Sequence, residues 1–347
     1  MIEYNIGIVG AGDMAGVTAE TLNNMNGICP YAIASRDLAK AEAFAKKYNI
    51  PKWYGSYEEL FEDPDVELVY IATVNSTHVD IAKKALDAGK PVFVEKPFSY
   101  NAATAKELLD YAESKDLYCG EAMWLRFNPL MRNIADQLKK GVIGDVRTIY
   151  ATTGYRVGNK ERLVKPELGG GAILDVGIYP ITAVLMMMGN PIQIVSDPMV
   201  TNTGVDAYST VIMKYPQGRD AIITISMLSN YDNSCTVYGT HGRVEIDNVV
   251  NPAKIIVYGP DGQPKEQLTA SREEFNGYEY EFKAAREAAI VGNLENKENP
   301  RASIINTLKI IDTYRYLWNT VFPLPGEPEK RQTPQKDKPE EPPTQNA

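Results

Sequence analysis

"IGIVGAGDMA", residues 6–15, runs a short apolar stretch into two glycines one residue apart, with a small residue at the sixth place of the motif. Gly10 permits a tight turn, Gly12 lets backbone N–H groups approach a phosphate, and Ala15 lets the next helix pack closely on the strand. Small residues recur in many turns, so the string decides little without its surroundings. Here a strand pattern precedes it and a helical pattern follows, with Asp13 and Met14 at the helix start. That is the strand–turn–helix setting in which a dinucleotide pyrophosphate rests on a helix N-terminus. A small-residue turn with no ligand is the alternative reading.

The first third of the chain repeats this rhythm. "YNIGIVG", "YAIAS", "ELVYIAT", "PVFVEKP" and "LYCGEA" are short apolar runs, and helical stretches separate them from about Ala15, Leu38, Thr77 and Ala102. Alternation of this kind predicts a Rossmann, doubly wound parallel sheet over residues 1–122. A helix near Pro129–Lys140 then leads into a different pattern. "DVRTIYATTGYR", "AYSTVIMKY", "DAIITISML", "SCTVYGT" and "GRVEID" read as strands, and "PQG", "THG" and "PDG" as turns between them or after them. The expectation is a second α/β unit, residues 123–322, with a large open, mostly antiparallel sheet. Helices near Tyr278–Val291 and Ala302–Leu317 close it. Residues 323–347 are dense in Pro, Glu, Lys and Gln and predict a disordered tail.

Composition narrows the partners. The 347 residues carry a net charge of −9, which argues against a broad nucleic-acid or anionic-membrane surface and leaves room for a local anion pocket. No run of about 18 apolar residues offers a membrane span, and no signal-like segment precedes the first strand, so a soluble, cytoplasmic protein is expected. Cys29, Cys119 and Cys235 lack disulfide or metal-ligand spacing and read as free thiols. No metal site is expected.

The end of the second strand bears on the nucleotide. NAD binders commonly place a carboxylate there for the ribose hydroxyls, whereas "YAIASRD" places Ser35 and Arg36, with Asp37 one step late as a helix cap. A hydroxyl and a guanidinium suit a 2′-phosphate, and Lys40 offers a second cation a turn later. NADP is therefore favoured, with NAD open because Asp37 can rotate toward a ribose.

Two further stretches carry chemistry. Glu95, Lys96 and Pro97 close the strand "PVFVEKP" at its carboxyl end, where ligands of open α/β sheets bind. A lysine there can exchange a proton with substrate, although a solvated surface lysine is the commoner fate. In "GGGAILDVGIYP", Asp175 and Tyr179 stand four residues apart, on one face of a helix entered through glycines. An acid and a phenol so placed can orient a hydroxyl or carbonyl together, or can simply touch on a helix surface. Pro180 predicts a kink or restart of that helix at Tyr179.

The glycine motif at Gly10, "EKP" at Glu95–Pro97, "EAMWLRF" at Glu121–Phe127 and the Asp175/Tyr179 helix occur in an order that resembles the Gfo/Idh/MocA oxidoreductases, in particular their dihydrodiol dehydrogenase-like branch. The resemblance covers residues 1 to about 320. It implies a substrate held between the two units over a nicotinamide, and subunit contacts through the open sheet of a homo-oligomer. It maps the family's lysine onto Lys96. Many relatives have a histidine where Tyr179 stands, so their histidine relay does not transfer. "ATVNSTH" resembles the family's cofactor loop and implies Thr73, Asn75 and His78 near the nucleotide, His78 being equally readable as a helix cap or packing residue. Trp124 and Arg126 would line the nicotinamide end, with core packing the alternative for Trp124.

The reading that follows is an NAD(P)-dependent oxidoreductase, with NADP favoured, moving hydride at a carbinol or carbonyl carbon of a small sugar-like, inositol-like or cyclic diol substrate. Lys96 exchanges the oxygen-bound proton, Tyr179 bonds that oxygen, and Asp175 orients the cluster. A non-catalytic NADP-binding regulator on the same fold and an NAD-dependent sugar or inositol dehydrogenase are the rivals.

Overall fold

The structure, a computed structural model, describes residues 3–271 and 275–318. The tail expected from residue 323 lies outside them. Strands β1 (Tyr4–Val9), β2 (Ile28–Ala34), β3 (Lys52–Tyr54), β4 (Leu68–Ile71), β5 (Val92–Glu95) and β6 (Cys119–Ala122) form a parallel sheet in the order β3-β2-β1-β4-β5-β6. The crossovers are α1 (Asp13–Asn23), α2 (Leu38–Tyr48), α3 (Tyr57–Glu62), α4 (His78–Asp87) and α5 (Ala102–Ser114). Strands β4, β5 and β6 are buried at every residue, as a sheet covered on both faces requires. The order reverses at β1, so the crevice beyond the carboxyl ends of β1 and β4 is the ligand-binding position of this architecture.

Local chemistry sets the boundaries. Asp37 accepts from the Lys40 amide to start α2, and Ser56 with Glu59 forms a capping box on α3. The segment from Lys52 to Glu62 carries a strand and a helix beyond those expected from the apolar runs. Helix α6 (Trp124–Phe127) and helix α7 (Pro129–Lys139) follow, α7 capped by the Asn128 carboxamide and opened by Pro129.

The second sheet contains β7 (Val146–Gly154), β8 (Gln193–Val200), β9 (Asp206–Tyr215), β10 (Arg219–Ser226), β11 (Cys235–Gly239), β12 (Gly242–Ile246), β13 (Lys254–Tyr258) and β14 (Pro264–Thr269). Their order is β14-β13-β12-β11-β7-β10-β9-β8, antiparallel except for the parallel pair β7 and β10. Between β7 and β8 lie α8 (Glu161–Val164), a π-helical segment over Ile173–Gly177 and α9 (Ile178–Met188). The helical run Pro166–Met188 is long and apolar enough to cross a membrane by length and composition, but 78% of its most apolar window is buried inside this fold.

The last two helices, α10 (Glu279–Ile290) and α11 (Arg301–Leu317), return to the first sheet. Phe282 joins the core of Ile6, Ile8, Tyr70 and Phe93, and Arg301 pairs with Asp110 and Glu113 of α5 at 2.6 Å each. The second unit is thus not a contiguous stretch laid beside the first.

One contact holds the π-helical segment in place. The Ile173 amide donates to Asp206 Oδ2 at 2.7 Å, and Gly171 has φ +116°, with a Cβ there pressing on the same carboxylate. Replacing Asp206 by Ala leaves a buried N–H unpaired, and urea unfolding is expected to show a loss of about 1–3 kcal/mol. Asp206→Asn, which keeps an acceptor, is expected to lose less. A change below about 0.5 kcal/mol for Asp206→Ala contradicts this anchoring role.

Candidate active site

Lys96 leaves the carboxyl end of β5 and reaches across to the π-helical segment. Its Nζ donates to the Asp175 backbone carbonyl at 2.9 Å and lies 3.4 Å from Asp175 Oδ1. Arg162 of α8 approaches the same carboxylate from the other side, Nη1 to Oδ1 at 2.9 Å and Nη2 to Oδ2 at 3.5 Å. Burial alone would raise the Asp175 carboxyl, but the charges of Lys96 and Arg162 outweigh it and hold the group at about 2. Tyr179 presents its ring 4.8 Å from Lys96 Nζ. The wide turn over Ile173–Gly177 precedes the restart at Ile178, and Lys96 touches both members of the Asp175/Tyr179 pair.

Tyr179 is buried as a residue, and its hydroxyl makes no hydrogen bond among the described residues. Burial, then the charges of Glu95 and Asp175, push its ionisation well above the ordinary phenol value, so it stays a neutral O–H able to donate. Lys96, Asp175 and Tyr179 therefore offer an ammonium, a fixed carboxylate and an uncommitted phenol at one place between the two units.

Glu95 points the other way. Its carboxylate receives the Tyr70 hydroxyl and the Lys96 amide, so it supports the site from within the fold instead of facing a nucleotide. Burial raises it to about 7 against the opposing effect of Tyr70 and Lys96.

The glycine turn fits a dinucleotide. Gly12 caps α1 in an extended conformation with no side-chain bond to the helix, and a Cβ on it would meet nothing within 4 Å. The first-turn N–H groups, at Asp13 and Met14, have no intrahelical partner by their place in the helix. Gly10 has φ +99°, and a Cβ there would stand 2.7 Å from the Ala72 carbonyl oxygen. Ala15 is fully buried under the turn. Beyond β2, Asp37 is spent on capping α2, whereas the guanidinium of the exposed Arg36 makes no hydrogen bond or ion pair among the described residues. The Ser35 hydroxyl accepts from the Asp37 amide at 3.3 Å, and the Lys40 side chain is exposed.

Around the cleft, the Thr73 hydroxyl accepts from Thr77 at 2.8 Å, and Asn75 donates to the Gly169 carbonyl at 3.0 Å, tying the cofactor loop to the second unit. His78 is turned into the fold. It is fully buried, with Nδ1 3.0 Å from the Pro97 carbonyl and Nε2 3.2 Å from that of Thr73, and burial pulls its pKa below the ordinary value. It braces the loop after β4 against the loop after β5.

Trp124 stacks on Tyr278, ring centres 4.0 Å apart at 16°, and its buried Nε1–H has no partner among the described residues. Arg126 is 7% exposed as a residue, its guanidinium has neither an ion pair nor a hydrogen bond among the described residues, and burial lowers its pKa to about 10 against the pull of Glu121. A buried Trp124 donor with nothing to bind, beside an unpaired Arg126 guanidinium, fits a polar ligand in the cleft. Arg162 and Tyr278 carried no sequence signal, because neither stands in a motif and both arrive through the topology.

Comparison with known proteins gives the family. Residues 4–122 match the GFO/IDH/MocA oxidoreductase family, NAD-binding Rossmann fold, and residues 131–245 match the GFO/IDH/MocA C-terminal domain. The trans-1,2-dihydrobenzene-1,2-diol dehydrogenase of Mus musculus is 36% identical over 297 residues, covering 84% of this chain and 89% of the relative. That of Xenopus tropicalis is 35% identical over 282 residues, covering 80% and 84%. Among solved structures, a 3-ketoreductase from Actinomadura kijaniata in complex with NADP and TDP-benzene superposes with a TM-score of 0.81 at 24% identity, covering 90% of this chain and 97% of that one. An aldose-aldose oxidoreductase from Caulobacter crescentus complexed with glycerol gives 0.82 at 22% identity, covering 91% and 98%. The two structural likenesses carry the fold, and the two sequence relatives the family. The chain belongs to the GFO/IDH/MocA family. It is an oxidoreductase built on an NAD(P)-binding Rossmann unit.

Proposed function

We propose that this oxidoreductase acts on a carbinol or carbonyl carbon of a small cyclic diol or sugar-like molecule, with NADP as its preferred nucleotide. The observation that carries the reading is the convergence of Lys96, Asp175 and the unbonded Tyr179 hydroxyl beside the nucleotide crevice. The relatives named for a dihydrodiol substrate support the cyclic diol class. A regulator without catalysis has no use for an ammonium and a phenol assembled in this way.

Gly12 and the N-terminus of α1 would receive the pyrophosphate, Arg36 with Ser35 and Lys40 the 2′-phosphate, and Arg126 with Trp124 the polar groups at the nicotinamide end. When bound, the nicotinamide takes or gives the hydride. Lys96 gives its proton to the substrate oxygen in the reducing direction and receives it in the oxidising one. Tyr179 donates a hydrogen bond to the same oxygen and holds it over the ammonium. Asp175 fixes Lys96 through its carbonyl and carboxylate, and Arg162 fixes Asp175.

Lys96→Met is expected to bind NADP normally and to turn over about 10²–10⁴ more slowly, the usual share of a positioned acid/base. Tyr179→Phe, which deletes one hydroxyl, is expected to fall in turnover with nucleotide affinity preserved. A screen of diols, inositols, sugars and dicarbonyls at the absorbance of the reduced cofactor supplies the substrate. Near-normal turnover of folded Lys96→Met contradicts the mechanism.

Nucleotide choice is tested separately, because Asp37 is engaged as a cap and Arg36 is unengaged. Arg36→Ala is expected to weaken NADP by about 1.5–3 kcal/mol and to leave NAD little changed, as read by fluorescence titration. Equal losses for both nucleotides contradict a 2′-phosphate contact and favour the NAD-dependent rival.

We further propose a homo-oligomer formed through the outer face of the second sheet. One row of that face runs Val195, Ile212, Ile222, Tyr150 and Thr236, with Tyr150 50% and nearby Tyr238 43% exposed. An apolar sheet face of this extent fits an isologous two-fold contact with a second copy. Light scattering at micromolar concentration is expected to give a dimer or larger, and Ile222→Arg to shift it toward monomer; a wild-type monomer contradicts the proposal. The free thiols and the net charge of −9 support a cytoplasmic protein without nucleic-acid or membrane partners.

A further inference from the structure

Glu281 is fully buried on α10, and neither carboxylate oxygen has a hydrogen-bond partner among the described residues. The helix carries it against the carboxyl end of the first sheet, where its neighbour Phe282 meets Tyr70 and Phe93 with ring centres 5.2 and 5.6 Å apart. The titratable groups whose charges bear on it are Tyr70 from β4, Glu95 from β5, Tyr118 just before β6, Glu121 from β6, Tyr179 from α9, and Tyr278 one turn back. None of these is a cation. Lys96 is turned toward Asp175, and the charge of Arg126 bears on Glu121.

Its neighbours are provided for and Glu281 is not. Glu95 holds the Tyr70 hydroxyl and the Lys96 amide, Glu121 accepts from the Phe98 amide at 3.1 Å and from Asn299 at 3.0 Å, and Asp175 has two cations. An unpaired carboxylate removed from water bears an uncompensated charge, and such groups keep their proton instead. Burial, followed by the charges of Glu95 and Glu121, acts in that direction on Glu281.

We infer that Glu281 is a proton-bearing positioning residue: as a neutral acid it limits the negative charge on the floor beneath Tyr179 and Glu95, and so sets the pH range over which the oxygen-bound proton is exchanged. Its catalytic half rests on the function proposed above, whereas its protonation does not.

The experiment uses the full chain with Glu281→Gln, a neutral isostere, and Glu281→Met, an apolar side chain of similar length. Thermal unfolding over about pH 5 to 9, without nucleotide or substrate, reads the protonation. A carboxyl whose folded value lies above its unfolded one removes stability as the pH rises from the unfolded value toward the folded one, since the unfolded chain sheds its proton first. The melting temperatures of both variants are therefore expected to gain on wild type as pH rises. A difference that stays constant over the range overturns the proposal. In the second arm, Glu281→Gln keeps the site neutral, so its pH profile of kcat/KM is expected to lie within about 0.2 pH units of wild type, with NADP affinity within about twofold. A profile displaced by about half a pH unit or more means that wild-type Glu281 carries a charge during turnover and overturns the proposal even where the stability arm holds. If wild type turns over no carbinol or carbonyl compound, the proposed function fails, and the stability arm alone decides whether Glu281 keeps its proton.

Discussion

A carboxylate buried between two structural units must find cations from both, and the Asp175 carboxylate has done so. Lys96 comes from the first sheet and Arg162 from the segment that follows β7, and together they outweigh the burial of the acid. Removing either cation leaves the carboxylate under-compensated, which is far costlier than loss of an exposed pair. The contact therefore fixes where the π-helical segment lies against the crevice. Tyr179 and the Lys96 ammonium inherit their positions from it.

Around the crevice, the polar groups that are engaged and those that are not have different work to do. Asp206, Glu121 and His78 are engaged by backbone or side-chain groups and hold loops in place. The Tyr179 hydroxyl, the Arg126 guanidinium and the Trp124 N–H are unengaged among the described residues, and all three belong to segments around the crevice. Polar groups without partners at this position are ones that a ligand in the crevice can complete. Glu281 belongs to neither set, because an acid can meet its deficit by keeping a proton.

Much of this was legible in residue order. Apolar runs alternating with helical stretches announced the parallel sheet, since β4 and β5 are covered on both faces and read as unbroken hydrophobic strands. The Asp175/Tyr179 spacing held because a helical turn, even a widened one, keeps such residues on one side. What escaped is what the sequence does not encode locally. Lys52–Tyr54 is too short to show a period, although Ser56 and Glu59 spelled a cap for the helix after it. β13 and β14 carry partly exposed edge-side residues, and their pairing is set by their neighbours in the sheet. Arg162 and Tyr278 reach the site through long loops and a returning helix, so no spacing rule points to them. His78 shows the converse: the cofactor-loop motif includes it, and the fold buries its ring between the backbone carbonyls of Pro97 and Thr73, where one N–H can donate.

The central claim is that Lys96 and Tyr179 act on one substrate oxygen, held together by Asp175. A double-mutant cycle on kcat/KM tests it most directly, comparing Lys96→Met, Tyr179→Phe and the combined variant with wild type under one substrate. Two groups serving the same oxygen are expected to give a double variant that loses clearly less than the product of the single losses. Losses that multiply, with all variants folded and binding NADP, mean that the two side chains act independently and contradict the account.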